Sequence, residues 1–424
     1  MPDEPTIRLG AIATFEMGQS PPSSVVVDGY RGVPFLQGCA EFGQQYARPH
    51  CSCLRPPKVC KKGDVLISVR APVGTINKAD REYCIGRGLA AVWLPEDYPE
   101  NYGWHLLGYW APGLRRVSHG TTFEAVGRND LENLEIVDIR PEDRAGLVAV
   151  LDTADEAIAK TEALIAKLKS IKQGLLHDLL TRGLDDNGEL RDPDTNEAQF
   201  NKTPLGVRPK EWQVRPLGQV LLEIGGRLQT GPFGSQLHAH EYQPDGVPVI
   251  MPENIQDGRI ELQSIARVSE AKATAMARHR ISAGDIVFAR RGDLSRAAAT
   301  SEREQGWLCG TGCFLLRLPS GTVNPFWLAE VYRSVYVQRQ VEARSVGSTM
   351  LSLNNTVMES LLIGWPTKAE QDAIMARLDE WSQRIAGESA YLSKLKGIKK
   401  ALMQDLLTGR VRVPGDKAPT FATG

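Results

Sequence analysis

Residues 167–183, KLKSIKQGLLHDLLTRG, return 227 residues later as KLKGIKKALMQDLLTGR at 394–410, with ten of seventeen positions identical. A chain that writes one amphipathic helix twice must place two apolar faces. The repeat extends upstream. GTTFEAVGRNDLENLEI (120–136) aligns with GSTMLSLNNTVMESLLI (347–363) at the same offset. Further back the offset shrinks: GDVLISVR (63–70) pairs with GDIVFARR (284–291), CIGRGLAAVWL (84–94) with CGTGCFLLRL (309–318), and VPFLQG (33–38) with VPVIMP (247–252). Matches that keep one order along both halves mark a tandem duplication.

Each half begins with short β-type runs such as VLISV, AAVWL, IVFA and FLLRL, broken by Gly, Pro and Asp. Short helices are expected around Trp104 to Leu114 and Trp327 to Glu342, so each globular part is mixed α and β. Each half then changes to a seven-residue period. Leu151, Ile158, Ile165, Lys172 and Leu179 recur in the first, with Leu147, Thr161, Leu168 and Leu175 between them. Leu378, Ile385, Leu392, Lys399 and Leu406 recur in the second, with Trp381, Leu395 and Leu402 between them. Heptads sustained over four repeats predict a coiled coil, and a Lys repeated at one core position predicts a fixed register. One such helix cannot bury its seam alone, whereas two copies can bury theirs against each other. The expected fold class is therefore α+β: two globular mixed α/β domains separated by two long antiparallel coiled-coil helices, with a pseudo-twofold axis. Residues 185–212, polar and rich in Pro, Gly and Asn, are expected as an exposed connection, and the tail after Val413 as disordered.

Composition narrows the function classes. Hydrophobic content of 42% and charged content of 24% are those of an ordinary globular protein. No run approaches eighteen apolar residues and no secretory signal is visible, so a cytoplasmic protein without a membrane partner is expected. Seven cysteines without a signal peptide favour free thiols. HCSCLRPPKVC, with His50, Cys51, Cys53 and Cys60, has no standard zinc spacing and no counterpart in the second half, so no metal site is expected. The net charge of −1 leaves no overall electrostatic footprint for nucleic acid. DNA binding must then rest on locally placed Arg and Lys, or on partners.

Two similar domains at a fixed separation suit a target with two dissimilar parts at a fixed spacing, and duplex DNA presents one groove to both at each helical turn. At this point the residues resemble a known family, the specificity (S) subunits of type I restriction–modification systems, over nearly the whole chain. LKSIKQGLLHDLLTRG and LKGIKKALMQDLLTGRVRV look like the two conserved helical regions of that family. GPFGSQL (231–237) and FNKTPLGVRPKEW (200–212) resemble its entry into a target-recognition domain, and GQSPP (18–22) looks like the first-copy counterpart of the former. The first half lacks the P-x-x-W lead-in before IRLGAIA.

The resemblance implies target-recognition domains over 1–141 and 213–368, conserved helices over 142–183 and 369–409, a connection over 184–212 and a tail over 410–424. It implies a non-catalytic DNA reader. Each domain would read one half of a bipartite site, while the paired helices set the gap and dock two methyltransferase (M) subunits. Those subunits would bind S-adenosylmethionine and methylate adenine at N6. Restriction and motor (R) subunits, using ATP and Mg, would join them, and this chain would hold no cofactor.

Candidate DNA-contacting residues are Arg70, Arg87, His119, Thr121, Thr122 and Arg128 in the first copy. In the second they are Ser235, Arg290, Arg291, Arg344, Ser348 and Thr349. All sit at strand ends or in the Gly-flanked loops that repeat, where backbone can approach phosphate. NPFW (324–327) shares part of the D/N-P-P-Y/F loop of adenine methyltransferases. It lacks the second Pro, no F-x-G-x-G loop precedes it, and its counterpart NYGW (101–104) lacks Pro altogether, so both are read as helix starts. No G-x-x-x-x-G-K-[ST] loop exists, so the chain is not the ATP-driven motor. The competing class is a coiled-coil scaffold joining two protein-binding domains, which would need no Arg in the repeated loops.

Overall fold

A computed structural model describes residues 5–116, 125–345 and 353–413. The chain divides into two compact units, 1–164 with 388–424 and 165–387. In unit 1 a four-stranded antiparallel sheet is built from β1 (Thr14–Met17), β3 (Val65–Ser68), β5 (Leu89–Trp93) and the strand Ile76–Lys78. Its order is β1, β5, β3, then Ile76–Lys78. A second sheet holds β2 (Val33–Leu36) parallel to β4 (Tyr83–Ile85).

The repeat predicts the same in unit 2. There β6 (Arg227–Thr230), β10 (Cys313–Arg317), β8 (Ile286–Ala289) and Ala297–Ala299 form a four-stranded antiparallel sheet in the equivalent order. β7 (Val247–Ile250) runs parallel to β9 (Leu308–Cys309). The registers correspond: Met17 faces Ala90 and Ser68 faces Leu89, as Thr230 faces Phe314 and Ala289 faces Cys313.

The helix starts read from NYGW and NPFW are present, by different means. Asn324 accepts the backbone N–H groups of Phe326 (3.0 Å) and Trp327 (3.1 Å), capping the helix Pro325–Arg333 and seating Trp327 fully in the core. Asn101, at φ 68°, does not cap Tyr102–Trp110. Its side chain instead donates to Asp152 at 2.9 Å and accepts from Lys78 at 2.7 Å. A second helix, Val335–Ser345, follows in unit 2.

The two long helices are α1 (Pro141–Leu179) and α2 (Lys368–Leu407). Each contributes to both units, and within each unit the two halves pair antiparallel. In unit 1, Lys399 is paired with Asp155 and Lys396 with Glu162 (2.7 Å). In unit 2, Lys172 donates to Ser382 Oγ at 2.7 Å. Asp155 and Ser382 are themselves 227 residues apart, so the two core lysines make repeat-related contacts. Leu151, Ile165, Leu168, Leu179, Leu378 and Leu406 are buried. Ile158, Lys172, Leu175, Ile385, Leu392, Leu395, Lys399 and Leu402 are half-buried. The helix ends are part of the domain cores. Leu147, Leu151, Leu406 and Leu407 pack with Phe15, Ile67 and Leu106 in unit 1, and Leu179, Ile374 and Leu378 pack with Phe288, Trp327 and Tyr332 in unit 2.

In unit 1 the buried His105 lies against α1, its Nε2 2.7 Å from Asp152 Oδ1. Burial opposes ionisation of Asp152. Hydrogen bonds from His105 and Asn101 outweigh it and hold the carboxyl below the usual carboxylate range.

One expectation changes. The stretch 185–212 is exposed only in part. It folds a hairpin, Phe200–Thr203 with Gly206–Pro209, and residues on either side of that hairpin are tied to α2 through Glu370. That carboxylate accepts from Arg191 (2.6 Å), Trp212 Nε1 (3.2 Å) and the Leu184 N–H (2.9 Å). Turn-rich composition signals an irregular path, and it is blind to these distant partners. The cysteines of HCSCLRPPKVC lie in strands: Cys51 and Cys53 share one, and Cys60 ends another. Burial pushes the Cys60 and Cys84 thiols up to about 12, which disfavours the thiolate that metal binding requires. The tail after Val413 lies outside the described residues.

Candidate nucleic-acid interface

Four backbone hydrogen bonds gather the same loops at one end of the four-stranded sheet in each unit. In unit 1, Gly18 donates to Leu89 (2.9 Å), Val69 to Gly88 (2.9 Å), Gly86 to Leu36 (2.8 Å) and Val126 to Val69 (2.9 Å). In unit 2 their counterparts are Gly231 to Cys313 (2.8 Å), Arg290 to Gly312 (2.7 Å), Gly310 to Ile250 (2.9 Å) and Leu353 to Arg290 (3.0 Å). The sheet end thus brings together the turn after β1 or β6, the turn after β3 or β8, and the Gly-x-Gly turn before β5 or β10.

Close approach explains the glycines. A Cβ on Gly18 would lie 2.2 Å from the Gly86 carbonyl oxygen, and one on Gly231 would lie 2.1 Å from that of Gly310. The crossing is therefore open only to glycine in both units.

These bonds fix the register of one repeat match. Matching CIGRGLAAVWL to CGTGCFLLRL by their first cysteines pairs Cys84 with Cys309. In the structure Phe35 faces Cys84 and Val249 faces Leu308, so Cys84 corresponds to Leu308 and Ile85 to Cys309. Gly86-Arg87-Gly88 then matches Gly310-Thr311-Gly312. The paired glycines carried that signal, since both turns need them, whereas a buried Cys is an interchangeable small apolar residue.

The candidate residues separate by environment. Arg70 and Arg291 take the same place, one residue beyond Val69 and Arg290, and both are exposed. Arg87 is exposed between its glycines. None of these three has a carboxylate partner among the described residues. Ser235 is exposed in the turn after β6.

Three others have partners within the chain. Arg290 is half-buried, its Nε donating to the Leu353 carbonyl at 2.9 Å and its guanidinium 5.8 Å from the Phe314 ring centre. It holds the sheet end together rather than offering a charge, because strand alternation turns 290 inward and 291 outward. Arg128 pairs with Glu132 at 2.7 Å, an exposed i,i+4 contact. Arg344 sits in the last turn of Val335–Ser345 and donates to the Gln340 carbonyl at 3.1 Å. His119, Thr121, Thr122, Ser348 and Thr349 lie outside the described residues. Sequence reading passed over Ser20, Gln37 and Thr311, which the crossing places beside Arg87 or at its counterpart.

Known proteins are similar to this chain in sequence and in fold. The putative type I restriction enzyme MjaX specificity subunit of Methanocaldococcus jannaschii is 36% identical over 182 residues, 42% of this chain and 43% of that protein. The type I restriction enzyme MjaVIII specificity subunit of the same organism is 22% identical over 71% of this chain and 67% of its own length. The chain thus spans less than half of the first of these relatives. No family model matches. Among solved structures, the type I restriction–modification S subunit of M. genitalium superposes with a TM-score of 0.52 at 15% identity, over 95% of this chain and 96% of that one. The fold is that of a type I S subunit. A chain from the structural work on complex assembly and conformational transition of the type I R–M system gives a TM-score of 0.58 at 18% identity, covering 97% of this chain and 99% of that one. As in these structures, helix and sheet are mixed through the chain. Among the described residues no helix is long and apolar enough to cross a membrane.

Proposed function

We propose that this chain is the DNA-reading specificity subunit of a type I restriction–modification complex and is not itself catalytic. In this reading each target-recognition domain reads one half of a bipartite site on double-stranded DNA. The paired helices α1 and α2 set the gap between the halves. The observation that carries the proposal is the duplicated sheet end, with Arg70 and Arg291 exposed at equivalent positions and free of carboxylate partners among the described residues. Arginines so placed suit phosphate oxygens or guanine edges.

The helices also carry exposed apolar residues outside their paired seam. Leu164 and Ile171 on α1 correspond to Tyr391 and Ile398 on α2, 37 to 51% exposed and each pair seven residues apart. Exposed Lys167, Lys169, Lys394 and Lys396 flank them. This repeated surface supports docking of two M subunits, one per repeat. S-adenosylmethionine would then belong to the M subunits, and ATP and Mg to the R subunits that complete the complex. Such an assembly works in the cytoplasm.

Co-expression with the neighbouring methyltransferase gene product, followed by a map of adenine methylation in host DNA, tests the proposal. A split motif with two short defined parts and a constant gap is the expected result. Complex formation without a new methylated motif would leave the helices as a scaffold for protein-binding domains.

A further inference from the structure

The two units present different chemistry at three equivalent positions of the sheet end. Counting from the shared hydrogen bonds, Ser20 corresponds to Phe233, Gln37 to Met251 and Arg87 to Thr311. In unit 1 the three are polar and connected. Gln37 Nε2 donates to Ser20 Oγ at 3.2 Å, and the Arg87 N–H donates to the same oxygen at 3.3 Å. The Gln37 and Arg87 side chains are exposed.

Unit 2 presents no polar side-chain group at the same three positions. Phe233 is 59% exposed and Met251 half-buried. The Thr311 hydroxyl is buried and has no partner among the described residues, so it is not presented to a ligand.

The turn that carries Phe233 is not slack. The Phe233 N–H donates to Gln236 Oε1 at 3.1 Å, and the Gln236 N–H returns to the Phe233 carbonyl at 2.8 Å. Leu237 is buried in a small cluster with Val249 and Leu308. A pinned turn holds an aromatic ring in water, so most of the stabilisation available from burying that ring is unused in the free protein.

We infer that the two units read different groups in the major groove: unit 1 a purine edge by hydrogen bonds from Arg87 and Gln37, and unit 2 a thymine C5-methyl by contact with Phe233 and Met251. The inference rests on the proposal that the sheet ends meet DNA. Arg forks onto guanine O6 and N7, and Gln pairs with adenine N6 and N7. The thymine methyl is the one apolar group on the major-groove floor, and Phe is suited to it. Arg291, on the adjoining turn, remains available for phosphate.

The test uses the full chain in complex with its methyltransferase subunits, on duplexes carrying the split site that methylation mapping defines. Each thymidine is replaced in turn by deoxyuridine, which removes only the methyl. Each purine is replaced in turn by its 7-deaza analogue, which removes only the N7 acceptor. One deoxyuridine in one half is expected to weaken binding roughly three- to tenfold. Phe233→Ala should weaken the unmodified duplex to a similar extent and no longer distinguish the two bases, while Phe233→Leu keeps part of the distinction. A 7-deaza purine in the other half should weaken binding to the wild type but not to Arg87→Ala or Gln37→Ala.

Deoxyuridine tolerated at every position, or full sensitivity retained by Phe233→Ala, would overturn the inference. So would loss of the methyltransferase subunits from the Phe233→Ala complex, which would make the ring a protein contact. A wild-type complex that binds no split site at all would sink the DNA reading itself, and this inference with it.

Discussion

At Gly18 and Gly231 the obstructing atoms are backbone carbonyl oxygens, 2.2 and 2.1 Å from where a methyl would stand. Backbone cannot step aside as a side-chain tip can, so the crossing strands would have to separate. Gly231→Ala is expected to cost about 1–3 kcal/mol, in line with other overpacking substitutions. Gly18→Ala should cost about as much, and an unchanged urea midpoint in either variant would refute the account. His279 supplies a pH dependence in unit 2. Its ring is buried, and Arg278 Nε donates to its Nε2 at 3.0 Å, so the ring proton sits on Nδ1, which has no partner among the described residues. Burial first, and the neighbouring Arg278 next, lower its pKa below 6.5. The unfolded chain therefore binds a proton near 6.5 that the folded chain refuses. Stability is fully present above that pH and falls as pH drops toward the depressed folded value. Denaturation at pH 7.5 and 5.5 should show the loss in the wild type and a smaller one in His279→Gln.

At the scale of the helices, the two core lysines occupy equivalent positions yet rest on different partners. Lys172 donates to Ser382, whose hydroxyl in turn donates to the Leu378 carbonyl at 2.9 Å. Replacing Lys172 by Leu leaves a satisfied hydroxyl and extends the apolar seam. That variant should be neutral or up to about 1 kcal/mol more stable. Lys399 instead pairs with Asp155, which also lies 3.9 Å from His105 Nδ1. Lys399→Leu strands a partly buried carboxylate and should lose roughly 1–3 kcal/mol. Urea denaturation of the two variants side by side gives the comparison. Equal effects would mean that the lysines act through the seam alone and not through their partners.

For the whole molecule, the proposal that α1 and α2 set the gap makes a length prediction. One heptad inserted at the middle of both helices preserves the seam and adds about 10 Å of helix. With bases about 3.4 Å apart along each strand, the gap of the methylated motif should grow by up to about three base pairs while both defined halves stay the same. A methylation map that changes a half, or leaves the gap as it was, would remove the helices from that role. Partners bear on this scale too: with a net charge of −1, the chain has exposed arginines at its sheet ends and little general attraction for DNA. Its grip is expected to depend on the subunits it docks.

Features that recur over short distances are legible in the sequence alone. A seven-residue period lies in consecutive residues, so the long helices, their seam and the repeated lysines follow from it directly. The duplication is legible for the same reason, because each half repeats its strands in one order. Arg128 paired with Glu132 was also within reach of sequence, as an i,i+4 neighbour. The tertiary structure alone decided which arginines face solvent at the sheet end. Arg290 and Arg291 are adjacent and chemically alike, yet one is held by Leu353 and Phe314, from distant parts of the chain, and the other is free of any carboxylate among the described residues. It alone also made Thr311 the counterpart of Arg87 and Phe233 that of Ser20, because pairing between β4 and β2, and between β9 and β7, fixes the register of the Gly-x-Gly turns, and the Gly18 and Gly231 hydrogen bonds fix that of the turns they begin. Strand partners lie tens of residues away, and a side chain's exposure follows from those partners rather than from its neighbours in sequence.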